Sequence, residues 1–123
     1  MKTIKMKIKD IELEVELMNK NPITAEKILE ALPIKSSTNR WGDEIYFETD
    51  IEIEEEKSQK EVEVGDVAYW PPGKAICIFF GRTPVSTNKK PKAYSPVNVF
   101  GKVVKNLELL KKIKDKEEVE VCS

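Results

Sequence analysis

The sequence predicts a mainly β protein, a closed β-barrel carrying two short α-helices. Three observations predict it. Apolar residues alternate with charged ones in many short runs, the period-two signature of half-buried strands. Gly, Pro, Asn and Asp punctuate those runs with turn signals. Helical spacing occurs in only two places, residues 25–32 and 107–113. A chain of 123 residues with no linker or internal repeat reads as one domain, residues 1–123.

Ile4, Met6 and Ile8 alternate with lysines, and Ile11, Leu13, Val15 and Leu17 with acids. The apolar parity changes across Lys9-Asp10. A two-residue turn there keeps both sets on one face, so the segment predicts a β-hairpin with one wet face. Residues 19–22 form a turn. Thr24 is placed as the N-cap of the first helix. Ile23 and Ile28 stand as its hydrophobic staple, and Ala25, Ile28, Leu29 and Leu32 as its apolar stripe. Pro33 ends it, because the residue before a proline is pushed out of helical geometry.

A polar loop leads to residues 39–48, where Ile45 and Phe47 share one strand face and Glu44 and Tyr46 the other. Ile51 and Ile53 continue as a strand. Residues 54–61 are a charge-dense exposed loop or strand edge, and Val62 and Val64 resume the alternation. Residues 67–70 run into the turn 71–74, and residues 76–80 form an apolar strand. Residues 82–95, with Pro84, Pro91, Lys89, Lys90 and Lys92, are a solvated loop. Val97 and Val99 lead through Gly101 into a second short strand with Val103 and Val104. Asn106 offers a cap for the second helix, with Leu107, Leu110 and Ile113 as its stripe. Val119 and Val121 make a last short strand.

Composition narrows the function. Apolar residues are 40% of the chain and charged residues 35%, above the usual quarter, with a net charge of -1. Near neutrality gives no global attraction to nucleic acid or an anionic membrane. The Lys/Glu-rich surface is that of many heat-adapted, thermophile proteins. No apolar run approaches the ~20 residues of a membrane span, and residues 1–10 lack signal-peptide features, so a cytoplasmic location is expected. Cys77 and Cys122 fit no metal-ligand spacing, and the chain has no histidine. No metal or cofactor is expected, and histidine triads are ruled out. The glycines fit no phosphate loop.

The run Asn98-Val99-Phe100-Gly101-Lys102-Val103-Val104, followed by the 107–113 stripe, resembles the late segment of cyclophilins, where Phe-Gly-Lys-Val leads into a short helix. The Thr24-Ala25 helix after the opening strands is similar too. Residues 39–47, 65–73, 76–84 and 95–102 resemble more specifically a family of small uncharacterised bacterial and archaeal proteins with a cyclophilin-like fold. That resemblance implies a compact cyclophilin-like barrel and brings no established activity with it. Cyclophilins proper are peptidyl-prolyl isomerases, whose site combines an arginine, a glutamine, a Phe-Phe strand, a tryptophan and a histidine. By that resemblance Arg40 stands for the arginine, and Phe79 or Phe80 for the aromatic floor. The histidine is missing, and the single glutamine, Gln59, falls in the charged loop.

Prolyl isomerisation needs no proton transfer; its barrier of ~18–20 kcal/mol is amide resonance. A guanidinium beside an apolar pocket suits it, because fixed donors aimed at developing charge act strongly in a dry site. Arg40 with Phe79 has that character; the alternative is that Arg40 pairs with Asp43 or Glu44, or stacks on Trp41. Trp41, Tyr69 and Trp70 stand outside the obvious core pattern and offer wide contact area with a polar handle. Phe79 and Phe80 must face opposite ways on a strand, so one is core. Asp43 and Glu44 could serve as a general acid or base, but an acidic pair in so Glu-rich a chain reads as surface. The expected function is binding of a short peptide or small molecule in a cleft of Arg40, Trp41, Glu44, Tyr46, Tyr69, Trp70, Phe79 and Asn98. The alternatives are a weak isomerase using Arg40 with Phe79 or Phe80, and a structural or oligomeric component whose aromatic patch meets another copy of the chain.

Overall fold

The hairpin read from the opening alternation opens the fold. In the computed structural model, which describes residues 2–123, β1 (Thr3–Ile8) and β2 (Ile11–Leu17) pair antiparallel around Lys9-Asp10. Lys9 takes the left-handed conformation that closes the turn (φ 58°). The pairs Ile4–Val15, Met6–Leu13 and Ile8–Ile11 all point into the core.

Helix α1 (Pro22–Ala31) follows, then β3 (Ile34–Ser37), β4 (Asn39–Trp41), β5 (Glu44–Glu48) and β6 (Gln59–Glu61). β7 (Asp66–Trp70) and β8 (Ala75–Phe79) are joined by a 3₁₀ turn (Pro71–Gly73). β9 (Lys92–Lys105), a 3₁₀ helix (Leu107–Lys112) and β10 (Glu118–Cys122) complete the chain. The hydrogen-bonded order is β3-β10-β1-β2-β9-β7-β8-β5-β4, with β6 on β9, and each pairing is antiparallel.

The expected closed barrel is therefore corrected to an open antiparallel sheet. Its two ends, β3 and β4, are successive pieces of one extended segment separated by Thr38. β3 pairs with β10 and β4 with β5, and two pieces of the same strand have no ladder to form between them. The helices are corrected too. α1 begins at Pro22, which suits a first-turn position because it has no N–H to lose. Thr24 thus lies inside the helix, and Ile23 is exposed, so neither the cap nor the staple forms as expected. The second helix is 3₁₀, not α, and the Asn106 side chain bonds the Glu12 carbonyl instead of capping it.

Residues 51–53 and 62–64 are not strands; Ile53 and Val62 are buried from irregular loops. Lys92 to Ser95 leave the predicted loop and join β9, which runs on through Gly101 as one strand. A Cβ at Gly101 would lie 2.8 Å from Val15 Cγ1, so the glycine lets β2 and β9 approach instead of breaking the strand.

The central strands bury both faces. One face carries Ile45, Phe47, Val67, Tyr69, Ile76, Ile78 and Phe100 into the main core with the β1–β2 hairpin and α1. The other carries Ala68, Cys77, Phe79, Val97 and Val99 into a smaller cluster with Val62 and Ala93. Among the described residues no helix is long and apolar enough to cross a membrane.

Candidate functional site

The smaller cluster leads to the site. Strand alternation puts Glu44 and Tyr46 on its face of β5. The β5–β8 register sets Tyr46 opposite Cys77 and Glu44 opposite Phe79, and the β4–β5 register sets Trp41 opposite Glu44. Trp70 shares the parity of Ala68, itself opposite Cys77. β9 adds Ala93, Tyr94 and Val97. Together these side chains line an open cavity of about 240 Å³.

Its walls are aromatic. Tyr94 stands between the two indoles, edge-on, at 6.1 Å from Trp41 and 6.3 Å from Trp70 between ring centres. Trp70 meets Tyr46 edge-on at 6.5 Å. Such arrangements suit the ring quadrupoles. Trp70 is held on two sides. Its Nε1–H donates to Ser95 Oγ at 2.6 Å, and its ring packs so close to Gly73 that a Cβ there would fall 2.5 Å from ring carbons. Glycine at 73 is thus part of the pocket's construction. Tyr94 is 67% exposed and forms the outer rim.

The lining includes one acid, Glu44. Glu44 is 6% exposed, and its Oε1 has no hydrogen-bond partner. Burial penalises the charged form and pushes its pKa up to about 7, against a smaller opposing effect of a hydrogen bond with Cys77. The Cys77 thiol, fully buried beside it, is pushed up in turn by burial and by the Glu44 charge. Tyr46 is raised for the same two reasons. Among the described residues no basic side chain lines the cavity. The site is therefore an apolar, ring-walled pocket with one under-satisfied acid in its lining.

A family profile described as cyclophilin-like matches residues 2–122. The chain belongs to the cyclophilin-like family. No curated protein matches it. Among solved structures it is similar to a hypothetical protein of Archaeoglobus fulgidus determined in solution, at 50% identity and a TM-score of 0.83, covering 97% of this chain and 92% of the other.

In this cyclophilin-like chain Arg40 is not in the pocket. It precedes Trp41 on β4, so its side chain leaves on the opposite face. Its guanidinium donates to the carbonyls of Lys111 (2.7 Å), Ile113 (2.9 Å) and Gly42 (2.9 Å) and pairs with Asp43 at 3.1 Å, as the alternative reading had it. It also lies over the Phe80 ring, 5.2 Å from its centre. Arg40 clasps the end of the 3₁₀ helix. Tyr69 precedes Trp70 and is separated from it by the same rule. It is fully buried, and its hydroxyl donates to the Ile51 carbonyl and accepts the Ile53 N–H. Asn98, opposite Tyr69, is buried on that face too. Phe79 lies on the pocket's face but is wholly covered, and Phe80 joins the main core.

The cyclophilin-like fold thus brings together Trp41, Glu44, Tyr46 and Trp70 of the expected set, and leaves Arg40, Tyr69, Phe79 and Asn98 out of the lining. The lining residues not foreseen are Cys77, Ala93, Tyr94 and Val97. Tyr94 carried one available signal: it is a large aromatic outside any apolar alternation. Its position between Pro91 and Pro96 disguised the segment as loop.

Proposed function

We propose that this cyclophilin-like domain binds a small organic group, as a free molecule or as a side chain presented by a peptide, in the pocket of Trp41, Tyr46, Trp70 and Tyr94. The observation that carries the reading is the convergence of four ring side chains from β4, β5, β7 and β9 on one cavity with a single carboxyl group. At about 240 Å³ the space suits a group smaller than a drug-sized ligand. Two unpaired cysteines favour a reducing, cytoplasmic setting.

Titration with a library of small aliphatic, aromatic and amine fragments is the test, read by the indole N–H resonances of Trp41 and Trp70. Binders are expected to move both, and Trp70→Ala to weaken them by about tenfold, since an aromatic wall contributes roughly 1–2 kcal/mol. Binders that map elsewhere, or that tolerate Trp70→Ala in a variant of unchanged circular dichroism, would remove the reading.

The isomerase alternative needs a guanidinium free to face a proline amide. The Arg40 guanidinium is instead engaged by three carbonyls and a carboxylate, which take four of its five N–H donors. A protease-coupled assay on proline peptides is expected to show the uncatalysed rate, and the same rate with Arg40→Ala. A wild-type acceleration lost in that variant would restore the isomerase.

A further inference from the structure

A cavity lined by a buried, under-satisfied carboxylic acid and by ring side chains asks for a particular occupant. Glu44 Oε1 is buried without a partner, and a buried charge without a counter-charge is costly. Among the described residues no basic side chain lines the cavity to supply the counter-charge. Arg40, the closest cation along the chain, leaves on the opposite face and is held there by three carbonyls and Asp43. The aromatic walls present π-electron surfaces that attract positive charge carried on a poorly hydrated group. Resting on the binding reading above, we infer that the pocket takes an organic ammonium group, alkylated amine or quaternary nitrogen, with Glu44 as its counter-ion and Trp41, Trp70 and Tyr94 as its walls.

Size agrees, because a trimethylammonium head fits within about 240 Å³ and an inorganic cation would leave the rings idle. The pH dependence follows from what faces Glu44. β8 presents the Cys77 thiol, raised and so neutral near pH 7; β5 presents the raised Tyr46 hydroxyl, β9 the Tyr94 hydroxyl, and β4 only Trp41. Glu44, with its pKa at about 7, changes charge near neutrality. A permanent cation binds the ionised carboxyl, so its affinity rises as pH rises through 7 and levels off above. A ligand that accepts a hydrogen bond from the neutral carboxyl has the opposite profile.

The experiment compares choline with its uncharged carbon analogue, 3,3-dimethylbutan-1-ol, by calorimetry and indole resonances at about pH 5.5 and 8.5. Choline is expected to bind about tenfold more tightly than the analogue at the higher pH, with the advantage shrinking at the lower. Glu44→Gln is expected to remove the advantage and its pH dependence. A peptide bearing N-trimethyllysine forms a second arm, and whichever cation binds more tightly shows whether the ammonium arrives free or on a side chain. Equal binding of choline and analogue through Trp41 and Trp70 would overturn the ammonium assignment and leave the binding reading standing. Tighter binding of the neutral probe at low pH would overturn it in favour of a hydrogen-bond acceptor. Indifference of both indoles to all three probes would overturn the assignment, while fragments of other chemistry moving those indoles would still uphold the pocket.

Discussion

Wild-type stability is expected to fall by about 3 kcal/mol between about pH 4 and pH 9 through Glu44 alone, and Glu44→Gln is expected to abolish that component. The sign follows from burial. The unfolded chain ionises Glu44 near 4.5, whereas the folded chain holds the proton to about 7. Below 4.5 both states are protonated, and the contribution is whole. As pH rises, the unfolded state gives up its proton first and is stabilised relative to the fold, until the folded group ionises too. Above about 7 the difference is constant. Other carboxyls titrate in the same range, and not all in the same direction. Asp66 is raised by burial, whereas Glu56 is lowered, because hydrogen bonds from Thr24 and Ile23 outweigh the effect of burial. The informative quantity is thus the variant-minus-wild-type difference in urea unfolding free energy, followed across pH. It should grow in the variant's favour by about 3 kcal/mol from acid to alkaline conditions. Parallel curves would show that Glu44 is solvated and that the pocket is not as described.

Asn98→Ala is expected to destabilise the fold by about 3–4 kcal/mol, one of the largest costs of any single polar substitution here. Asn98 is fully buried; its Oδ1 accepts the Glu56 N–H at 3.0 Å, and its Nδ2 donates to Thr24 Oγ1 at 3.1 Å and to the Glu54 carbonyl at 3.0 Å. Truncation leaves the Glu56 N–H and the Glu54 carbonyl without that partner in a space too confined to hydrate them freely. The damage also reaches α1. Asn21, at the cap position, makes no side-chain cap bond, and its amide instead spans Val99 and Lys57. The helix start is served from a distance by Glu56, whose carboxylate accepts the N–H groups of Ile23 and Thr24 and the Thr24 hydroxyl. Loss of Asn98 frees the backbone that positions that carboxylate. Hydrogen exchange of residues 54–58 and of the first turn of α1 should accelerate together. Lys57→Gln, an exposed change in the same loop, should stay within about 0.5 kcal/mol. A cost for Asn98→Ala no larger than that of Lys57→Gln would mean that the loop is not pinned as described.

The site was half legible, and the division has a consistent cause. Glu44 and Tyr46 were read onto one face of a strand by alternation, and that face is the pocket's. The same rule, applied to Phe79 and Phe80, separated one into the core. Applied to Arg40-Trp41 and Tyr69-Trp70, it splits each pair across the sheet, so only the tryptophans reach the cavity. Grouping those neighbours in one cleft was the error. Tyr94 was missed because its strand character comes from pairing with β6, not from an alternation of its own. Asn98 was singled out correctly as unusual, but its partners, Thr24, Glu54 and Glu56, lie 74, 44 and 42 residues away along the chain.

By itself, the amino-acid order determined what is periodic and near in sequence: the opening hairpin, the inward faces of β5 and β8, the helix ended by Pro33, and the strand character of the last residues. Each follows from side chains that alternate every two residues or recur every turn, a property of a few adjacent positions. Tertiary structure alone decided which strand lies beside which, where the sheet stops, and which faces look at each other. Those outcomes depend on ladders between segments tens of residues apart, and the free energy of such a ladder resides in both partners at once. The pocket sits where β4, β5, β7, β8 and β9 meet, so its four rings become neighbours only once those ladders have formed.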